Sequence, residues 1–392
     1  MSASGTEAWT REERDERRAW LRLARSPGIG PKSHARLRAR FGGAREAVAA
    51  LPRLLATGRW PGVELAPEDA VEAELEALAK VGGAILLADD PEYPPRLRAL
   101  DDAPPVLAVR GRAELLAAPS VAIVGARNAS HHGRLLAAQM ARALSAAGIT
   151  VVSGLARGID TAAHEGALAG PGSTIAVLAC GLDRAYPEEN ADLLERIARL
   201  GCVVSERPPG APPRAEHFPR RNRIIAGLAL GVVVVEAAPH SGSLVTARLA
   251  LEAGREVMAV PGSPLDPRHR GTNRLLREGA HLVESAEDVL AVLAPLCARS
   301  PRAEPASAPE TAPVAQERAR APAAAARGGA STASSELAER LLAGLGTEPV
   351  AIDDLVRECQ VEAAVIQDVV LELELEGSIE RHPGNRIARR LG

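Results

Sequence analysis

Two short segments of the chain combine glycine, a hydroxyl side chain and arginine, which are residue types that bind phosphate groups. They span residues 125–130 (GARNAS) and 153–160 (SGLARGID). Glycine allows the backbone to approach a ligand closely, and a serine such as Ser130 can cap a helix whose free N–H groups then face an anion. Arg127 and Arg157 add planar guanidinium groups that suit phosphate oxygens. Both segments are therefore predicted to be anion-binding loops.

A third segment, residues 214–223 (RAEHFPRRNR), is the sharpest basic patch of the chain and is predicted to be a loop. It has four arginines in ten residues and contains Phe218. Only one other aromatic residue, Tyr186, occurs between positions 120 and 290. An aromatic ring in a basic patch favours stacking on unpaired bases, since each stacked base contributes roughly 1–3 kcal/mol. The alternative is that Phe218 is a buried anchor for the loop.

A fourth segment, residues 241–246 (SGSLVT), places Ser241 and Ser243 around Gly242 at a predicted helix start, where they could cradle a phosphate. The enzyme motifs that use such loops are missing. The sequence contains no G-x-G-x-x-G fingerprint, no Walker A loop and no G-x-S-x-G nucleophile elbow.

Asp160 and His164 are spaced one helical turn apart, so they share a face of the predicted helix. They fit either an acid–base or metal role, or a helix cap with a packed histidine. Cys180 has no nearby base and is expected to fill the core. The four cysteines are widely separated and form no C-x-x-C pair, which argues against a zinc site or a disulfide framework and fits a reducing compartment.

Apolar runs alternate with Ala/Leu-rich helical segments between residues 120 and 296, a pattern typical of a parallel sheet covered by helices on both faces. Such a doubly wound fold binds ligands beyond the carboxyl ends of its strands, where all four segments fall. The predicted strands of this sheet are 121–124, 150–152, 174–179, 202–204, 231–235, 257–260 and 281–283, preceded by a lead-in pair at 84–88 and 106–109.

Composition divides the chain into four regions. We predict an N-terminal helical domain (1–82), a Rossmann-like domain (83–296, with lead-in strands in 83–111), a flexible Ala/Pro-rich linker (297–335) and a winged-helix-like domain (336–392). The first region breaks at residues 26–31 (SPGIGP), which precede a basic helix. This break fits either a helix–hairpin–helix that holds a backbone phosphate or a small helical bundle with a solvated basic face.

The whole-chain charge gives no support for a nucleic-acid partner. The formal net charge is −3 and the pI is about 6.4, so such binding would have to come from local patches. Lys32 and Lys80 are the only lysines, which makes nearly every cation an arginine. No apolar run is long enough to span a bilayer and the first 25 residues are polar, so we expect neither a signal peptide nor an anchor, and a cytoplasmic location.

Four anion-binding segments on one edge of one sheet exceed what a single small phosphate ligand needs. A polyanion that crosses this edge fits better, and single-stranded nucleic acid fits best because of Phe218. Two rival interpretations stay open. One is a nucleotide-binding or nucleoside-monophosphate-cleaving protein, with Glu236 just upstream of residues 241–246. The other is a transcription regulator whose winged helix reads duplex DNA.

Residues 90–290 resemble the DNA-processing protein A family (DprA/Smf). The resemblance rests on five motifs in order, at 121–127 (VAIVGAR), 153–160, 218–227 (FPRRNRIIAG), 241–247 (SGSLVTA) and 255–262 (REVMAVPG). It implies an α/β fold with an extended Rossmann-like doubly wound parallel sheet. The flanking regions would be an N-terminal helical (SAM/HhH-like) domain and a C-terminal winged helix.

The resemblance further implies a protein that binds and protects incoming single-stranded DNA in natural transformation. Such a protein loads RecA recombinase onto the strand against single-strand-binding protein, dimerises through its Rossmann-like domain, and uses no catalysis, metal or cofactor. Gly125, Ser130 and Arg214 are candidate contacts from the loop chemistry. The DNA-binding residues carried over by motif are Arg127, Ser153, Gly154, Arg157, Phe218, Arg221, Asn222, Arg223, Ser241, Gly242 and Ser243.

The chain departs from the family pattern at two positions. Ala215 stands where many relatives have a lysine, with Arg214 one position earlier, where it could replace the charge. The first turn reads Gly-Ala-Arg where Gly-Ser-Arg is common, which removes a hydroxyl donor. Both changes are expected to affect affinity and not the class of function.

Overall fold

The computed structural model describes residues 10–56 and 62–299 of the chain. In the C-terminal part it describes residues 341, 350–352, 355, 366, 369–370, 373–374, 378–382 and 386–389. Contacts divide the chain into two units. The first consists of residues 1–51 and 62–303, and the second of residues 52–61 and 304–392.

Four helices precede the sheet. They are α1 (Arg11–Arg25), α2 (Pro31–Phe41), α3 (Ala44–Ala56) and α4 (Glu68–Lys80). α1 begins with a capping box in which Thr10 and Glu13 satisfy each other's backbone N–H groups. The predicted break lies between α1 and α2. Gly28 adopts a φ of +82° there, and Pro31 takes the first helical position, where its missing N–H costs no hydrogen bond.

A nine-stranded sheet forms the centre of the first unit, in the order β1-β2-β6-β5-β4-β3-β7-β8-β9. The strands from β6 to β9 in that order are parallel, and β1 and β2 extend one edge in antiparallel pairing. The strands are β1 (Gly83–Leu87), β2 (Val106–Gly111), β3 (Ser120–Val124), β4 (Thr150–Ser153), β5 (Thr174–Leu178), β6 (Cys202–Ser205), β7 (Gly231–Val234), β8 (Glu256–Ala259) and β9 (His281–Leu282).

Helices cover both faces of this sheet. The helices after β1 are α5 (Pro95–Arg98), α6 (His131–Ala146), α7 (Ile159–Ala167), α8 (Ala191–Leu200), α9 (His217–Leu228), α10 (Gly242–Glu252), α11 (Arg270–Arg277) and α12 (Ala286–Arg299). Leu144, Ile159 and Leu293, from α6, α7 and α12, are buried on one face, and residues of α9 and α10 such as Ile224 and Ala247 are buried on the other.

The order of the parallel strands reverses at β3. β4, β5 and β6 lie on one side of β3, and β7, β8 and β9 lie on the other. The loops after β3 and β7 therefore flank the topological switch point, which is where open α/β sheets bind their ligands.

The doubly wound fold predicted from the sequence is confirmed, and each of the nine predicted strands is present with its ends shifted by at most two residues. Two predictions of local structure were wrong. The basic segment that contains Phe218 is not a loop, because His217–Leu228 forms helix α9. Pro219 is compatible with this helix because it lies in the first turn, where backbone N–H groups have no intrahelical partner. Residues 297–299, predicted as the start of the linker, are the last residues of α12.

The second unit contains a small antiparallel sheet in the order β10-β12-β11, formed by β10 (Val350–Ala351), β11 (Ile379–His382) and β12 (Arg386–Arg389). β11 and β12 pair as a hairpin from Ile379↔Arg389 to His382↔Arg386, at the position of the predicted wing. The hydrophobic core of the second unit includes Ile366 and Val370. Residues 300–335 of the predicted linker lie outside the described residues. Within the described parts of both units, no helix has the length and apolar character needed to cross a membrane.

Candidate nucleic-acid interface

Three side chains come together above the carboxyl ends of the central strands, and we call Arg127, Tyr186 and Phe218 the aromatic crest. The ring centroids of Tyr186 and Phe218 are 5.5 Å apart, with their planes tilted by 57°. The Cζ atom of Arg127 lies 5.1 Å from the centroid of the Phe218 ring. Arg127 and Tyr186 are exposed and Phe218 is half-buried. The crest thus offers two aromatic surfaces and a cation to one ligand.

Tyr186 was missed as a site residue in the sequence analysis. It lies in the connection between β5 and α8, in none of the four anion-binding segments, and its side chain is 45% exposed. The signal that could have found it is compositional. Residues 120–290 have only two aromatic residues, and neither lies in a strand that forms the core.

Arg221 is buried beneath the crest and links three elements. Its Nη1 donates 2.6 Å hydrogen bonds to the backbone carbonyls of Gly154 and Val177, at the ends of β4 and β5. Its Nε donates to Oδ1 of Asn222, which is also buried. Gly154 is required for this approach, because a Cβ there would lie 2.0 Å from Nη1 of Arg221. Arg221, Asn222 and Gly154 therefore hold the crest in position through internal contacts. The sequence had predicted direct contacts between these residues and a DNA strand.

Asp160 and His164 order the loop after β4. Asp160 accepts hydrogen bonds from the backbone N–H groups of Gly154 and Ala156 at 3.1 and 3.3 Å. Burial raises the pKa of its carboxyl group, against the opposing effect of the Arg221 charge. His164 accepts from the N–H of Leu155 and contacts Oγ1 of Thr174 at 2.8 Å. This arrangement favours the cap and packed-histidine interpretation over the acid–base or metal one.

Ser153 and Ser130 use their hydroxyl groups inside the protein. Ser153 is fully buried and donates to the carbonyl of Ile123 at 2.7 Å. Ser130 caps α6 by accepting from the N–H of Gly133, and it donates to the carboxylate of Glu236 at 2.5 Å. The helix start expected to face a ligand anion thus faces an acidic side chain of the protein itself.

Gly125 serves close packing. A Cβ at this position would lie 2.6 Å from Cγ1 of Ile159, the first residue of α7. Only glycine therefore lets the loop after β3 pass this close to α7, and the loop in turn carries Arg127 to the crest.

Two more candidate arginines are exposed and held only by surface ion pairs. Arg157 makes two hydrogen bonds to Glu189, of 2.7 and 2.8 Å, with side chains 62% and 53% exposed. Arg214 lies 4.0 Å from Glu216, and both side chains are more than half exposed. Such exposed pairs contribute only about 0–1 kcal/mol, so a phosphate can displace the carboxylate. Ala215 is exposed beside Arg214.

Arg223 is mostly buried in an internal ion pair. Its Nη2 donates to Glu206 at 2.6 Å and its Nη1 to the backbone carbonyl of Asp102 at 2.5 Å, and only 11% of the side chain is exposed. Helical geometry explains the separation from the crest, because successive residues of α9 point about 100° apart. Arg223 therefore fastens α9 to neighbouring segments and has little surface left for a DNA phosphate, contrary to the expectation from sequence.

The serines of residues 241–243 form the predicted helix start. Ser241 is the N-cap of α10, and its hydroxyl lies 2.6 Å from that of the buried Ser243. A Cβ on Gly242 would meet no atom within 4 Å, so the backbone there is open to a ligand. Asn222 donates to the carbonyl of Gly242 at 3.4 Å, which ties this turn to α9.

The basic helix α2 is partly committed to internal contacts. His34 is buried and lies 3.1 Å from the carbonyl oxygen of Trp20, and burial lowers its pKa to about 4. Arg38 stacks over the Trp20 ring and pairs with Asp89. Lys32, 52% exposed, stands at the hairpin where a phosphate-holding motif would act. Both interpretations of this region thus keep some support.

The geometry defines the class of protein. It has a doubly wound parallel sheet with an exposed aromatic and cationic surface at its carboxyl edge, flanked by an N-terminal helical region and a C-terminal winged helix. Residues 84–294 match the model of the family described as DNA recombination-mediator protein A, residues 14–77 the DprA-like N-terminal HHH domain, and residues 317–385 the DprA winged helix domain. The chain belongs to the DNA recombination-mediator protein A family.

Individual relatives agree with this membership. The Smf protein of Synechocystis sp. is 34% identical over 96% of this chain and 99% of its own length. The DNA processing protein DprA of Streptococcus pneumoniae is 48% identical over 51% of this chain and 70% of its own.

Two solved structures of family members are also similar. The X-ray structure of the Streptococcus pneumoniae protein superposes with a TM-score of 0.54 at 44% identity, covering 57% of this chain and 77% of that chain. DNA processing protein A from Helicobacter pylori, whose structure concerns its single-stranded DNA binding mode, superposes with a TM-score of 0.50 at 31% identity. That match covers 54% of this chain and 96% of that chain.

The buried His164 predicts a pH dependence of stability. Burial lowers its pKa from 6.5 to about 3, so the unfolded chain binds one more proton than the folded chain between these values. This contribution to stability is complete above pH 6.5 and is lost as the pH falls toward 3. His164→Gln should therefore be less stable than the wild type at pH 7, and its free energy of unfolding should fall less steeply from pH 6.5 to 5, by about 1.4 kcal/mol per pH unit.

Urea titrations followed by circular dichroism at several pH values measure this slope. The matched control is His281→Gln, because His281 is half-exposed beside Glu256. An unchanged slope in His164→Gln would show that His164 does not titrate as its burial requires.

Proposed function

We propose that this chain binds single-stranded DNA along the aromatic crest. The observation that carries the proposal is the contact of Arg127, Tyr186 and Phe218 at the carboxyl edge of the sheet. Aromatic rings accept any unpaired base, and an adjacent guanidinium binds the phosphate between two bases. Duplex DNA keeps its bases stacked on one another, so the two rings favour a single strand.

The proposed contacts divide into two groups. Arg127, Tyr186, Phe218, Arg157, Arg214 and the open turn at Gly242 touch the strand directly. Gly125, Ser130, Ser153, Gly154, Arg221, Asn222 and Arg223, together with Ser241 and Ser243, hold these elements in place through the internal contacts described above. This division follows exposure, because a side chain whose donors are already used inside the protein has none left for a phosphate.

Surface charge supports this placement. The chain has a net charge of −3, so a strand is not attracted to its surface as a whole. The exposed arginines on the crest side, Arg127, Arg157 and Arg214 together with the exposed Arg220 of α9, supply a local basic patch. Local patches of this kind act over about a Debye length, roughly 8 Å at physiological ionic strength.

We further propose the cellular task that family membership suggests. The chain protects incoming single-stranded DNA during natural transformation in the cytoplasm and loads RecA recombinase onto it, against competition from single-strand-binding protein. It acts as a binding protein and not as an enzyme, without metal or cofactor. Release of free base from nucleoside monophosphates by the purified protein would contradict this part of the proposal.

Substitutions on the crest should weaken binding in two distinguishable ways. Phe218→Ala should weaken binding of oligo(dT) about 5- to 150-fold, which corresponds to about 1–3 kcal/mol for one stacked base. Arg127→Ala should also reduce the slope of log affinity against log salt, by about 0.7 for one lost phosphate contact. Fluorescence anisotropy of a labelled oligo(dT) over a series of salt concentrations measures both effects.

Arg199→Ala is the matched control. It removes the same charge from an exposed position in the last turn of α8, next to the amino end of β6 and thus at the opposite edge of the sheet. The control should bind DNA as the wild type does, and it should still speed RecA assembly on a strand coated with single-strand-binding protein, whereas the crest variants should not. Wild-type affinity in both crest variants would show that the strand does not bind at the crest.

We also propose that the chain forms a homodimer through the β8–β9 side of the sheet. β9 is an edge strand with unpaired backbone groups, and its Leu282 is 56% exposed. Leu265, in the connection after β8, is 88% exposed. Exposed leucines beside an open strand edge are typical of a surface that pairs with another chain.

Sedimentation equilibrium tests this surface. The wild type should have twice the mass of one chain, and Leu282→Glu should shift the equilibrium toward the monomer. Leu200→Glu, a change at a leucine 52% exposed at the end of α8, is the control. A dimer unaffected by Leu282→Glu would place the interface elsewhere.

A further inference from the structure

Glu236 is a buried carboxylate at the start of a helix that belongs to another part of the chain. It follows β7 closely, and its side chain is only 1% exposed. One oxygen accepts the backbone N–H of Ser130 at 2.9 Å, and the other accepts the Ser130 hydroxyl at 2.5 Å. The Ser130 hydroxyl itself accepts the N–H of Gly133 at 2.8 Å. The start of α6 is thus bound through Ser130 to a carboxylate that follows β7.

Two residues of other elements lie close to this carboxylate. A Cβ on Gly133 would lie 2.5 Å from one carboxylate oxygen, so glycine is needed for the oxygen to approach the helix. Nε2 of His269 lies 3.9 Å from the same oxygen on another side. The carboxylate of Glu236 therefore occupies the space beside the start of α6, close to Gly133 and His269.

Nucleotide-binding proteins with a doubly wound fold bind phosphate at this position. The loops after β3 and β7 flank the switch point of the sheet, and α6 is the helix that follows β3. In doubly wound folds a ligand phosphate binds at the N-terminus of such a helix, because the free N–H groups and the helix dipole favour an anion. In this chain the carboxylate of Glu236 lies at this helix start, where it accepts the N–H and the hydroxyl of Ser130.

We infer that Glu236 is a specificity-determining residue that occupies the phosphate position of the switch point and so excludes mononucleotides and dinucleotides from it. A ligand phosphate would have to displace a buried anion or lie beside it, and both are unfavourable in a region of low dielectric. Phosphates of a bound strand are thereby restricted to exposed groups such as Arg127. Removal of the carboxylate should convert the position into a site for a small free anion.

The test is anion rescue of Glu236→Ala, measured by thermal unfolding without DNA. This substitution deletes Cγ and the carboxylate, a group that acetate matches in size and charge. In sodium chloride the melting temperature should fall by roughly 4 °C or more, since α6 loses a charged partner at its N-terminus. Sodium acetate or inorganic phosphate at the same ionic strength should restore it in proportion to the logarithm of the anion concentration.

Two controls separate site binding from general salt effects. The wild type shows how much acetate and phosphate stabilise the protein by exclusion from its surface. Glu236→Gln keeps the side-chain volume and loses the charge, so it should be destabilised and yet respond to the salts as the wild type does. If Glu236→Ala is unfolded in chloride, recovery of its far-ultraviolet circular dichroism in acetate is the readout.

An equal response of Glu236→Ala and the wild type to acetate and phosphate would overturn the inference, as would the absence of any recovery of an unfolded Glu236→Ala. These measurements contain no DNA. Their failure would therefore leave the proposal for the aromatic crest unaffected.

Discussion

The guanidinium group of Arg221 holds together the part of the fold on which the proposed interface depends. It lies buried between the carboxyl ends of β4 and β5 and donates to the carbonyls of Gly154 and Val177. A buried charge is tolerated only when its desolvation is compensated, here by these hydrogen bonds and by the electrostatic influence of Asp160. Asp160 in turn accepts the N–H groups of the loop after β4. Arg221 and Asp160 together therefore fix two strand ends and one loop.

The same interaction places the aromatic crest. Phe218 precedes Arg221 by three residues on α9, so the two side chains lie on one face of the helix, with Cζ of Arg221 6.0 Å from the ring centroid. Anchoring Arg221 in the sheet therefore holds Phe218 at its edge, beside Tyr186 and Arg127. The position of the exposed surface is set by hydrogen bonds that a bound strand would never touch.

Much of the fold follows from the sequence, because buried parallel strands are nearly continuous apolar runs and their spacing reflects the helices between them. The site was harder to predict. Four segments that contain glycine, serine or arginine were expected to bind anions, yet Ser130, Ser153, Arg221 and Arg223 direct their polar atoms inward. Residue type alone cannot distinguish a donor that serves a ligand from one that serves a backbone carbonyl. For Arg221 and Arg223 the helical period of α9 makes that distinction, whereas the sequence pattern predicted a loop for this segment.

Tyr186 is a site residue that sequence patterns did not predict at all. No motif contains it, and it meets Phe218 only because the connection after β5 folds back over the strand ends. Glu236 is similar, since its partner Ser130 is 106 residues away in the chain. Both contacts are long-range, and they depend on the strand order β5-β4-β3-β7, which local sequence patterns do not encode.

Photochemical crosslinking to a single strand tests the central claim most directly. An oligo(dT) that carries 5-iododeoxyuridine at each position in turn would be irradiated with the full chain, and the modified residues would be identified by mass spectrometry. The account predicts crosslinks to Phe218 and Tyr186, the two aromatic residues of the crest, since such photochemistry requires close contact between base and ring. Crosslinks confined to the hairpin at residues 26–31 or to residues 336–392 would contradict it.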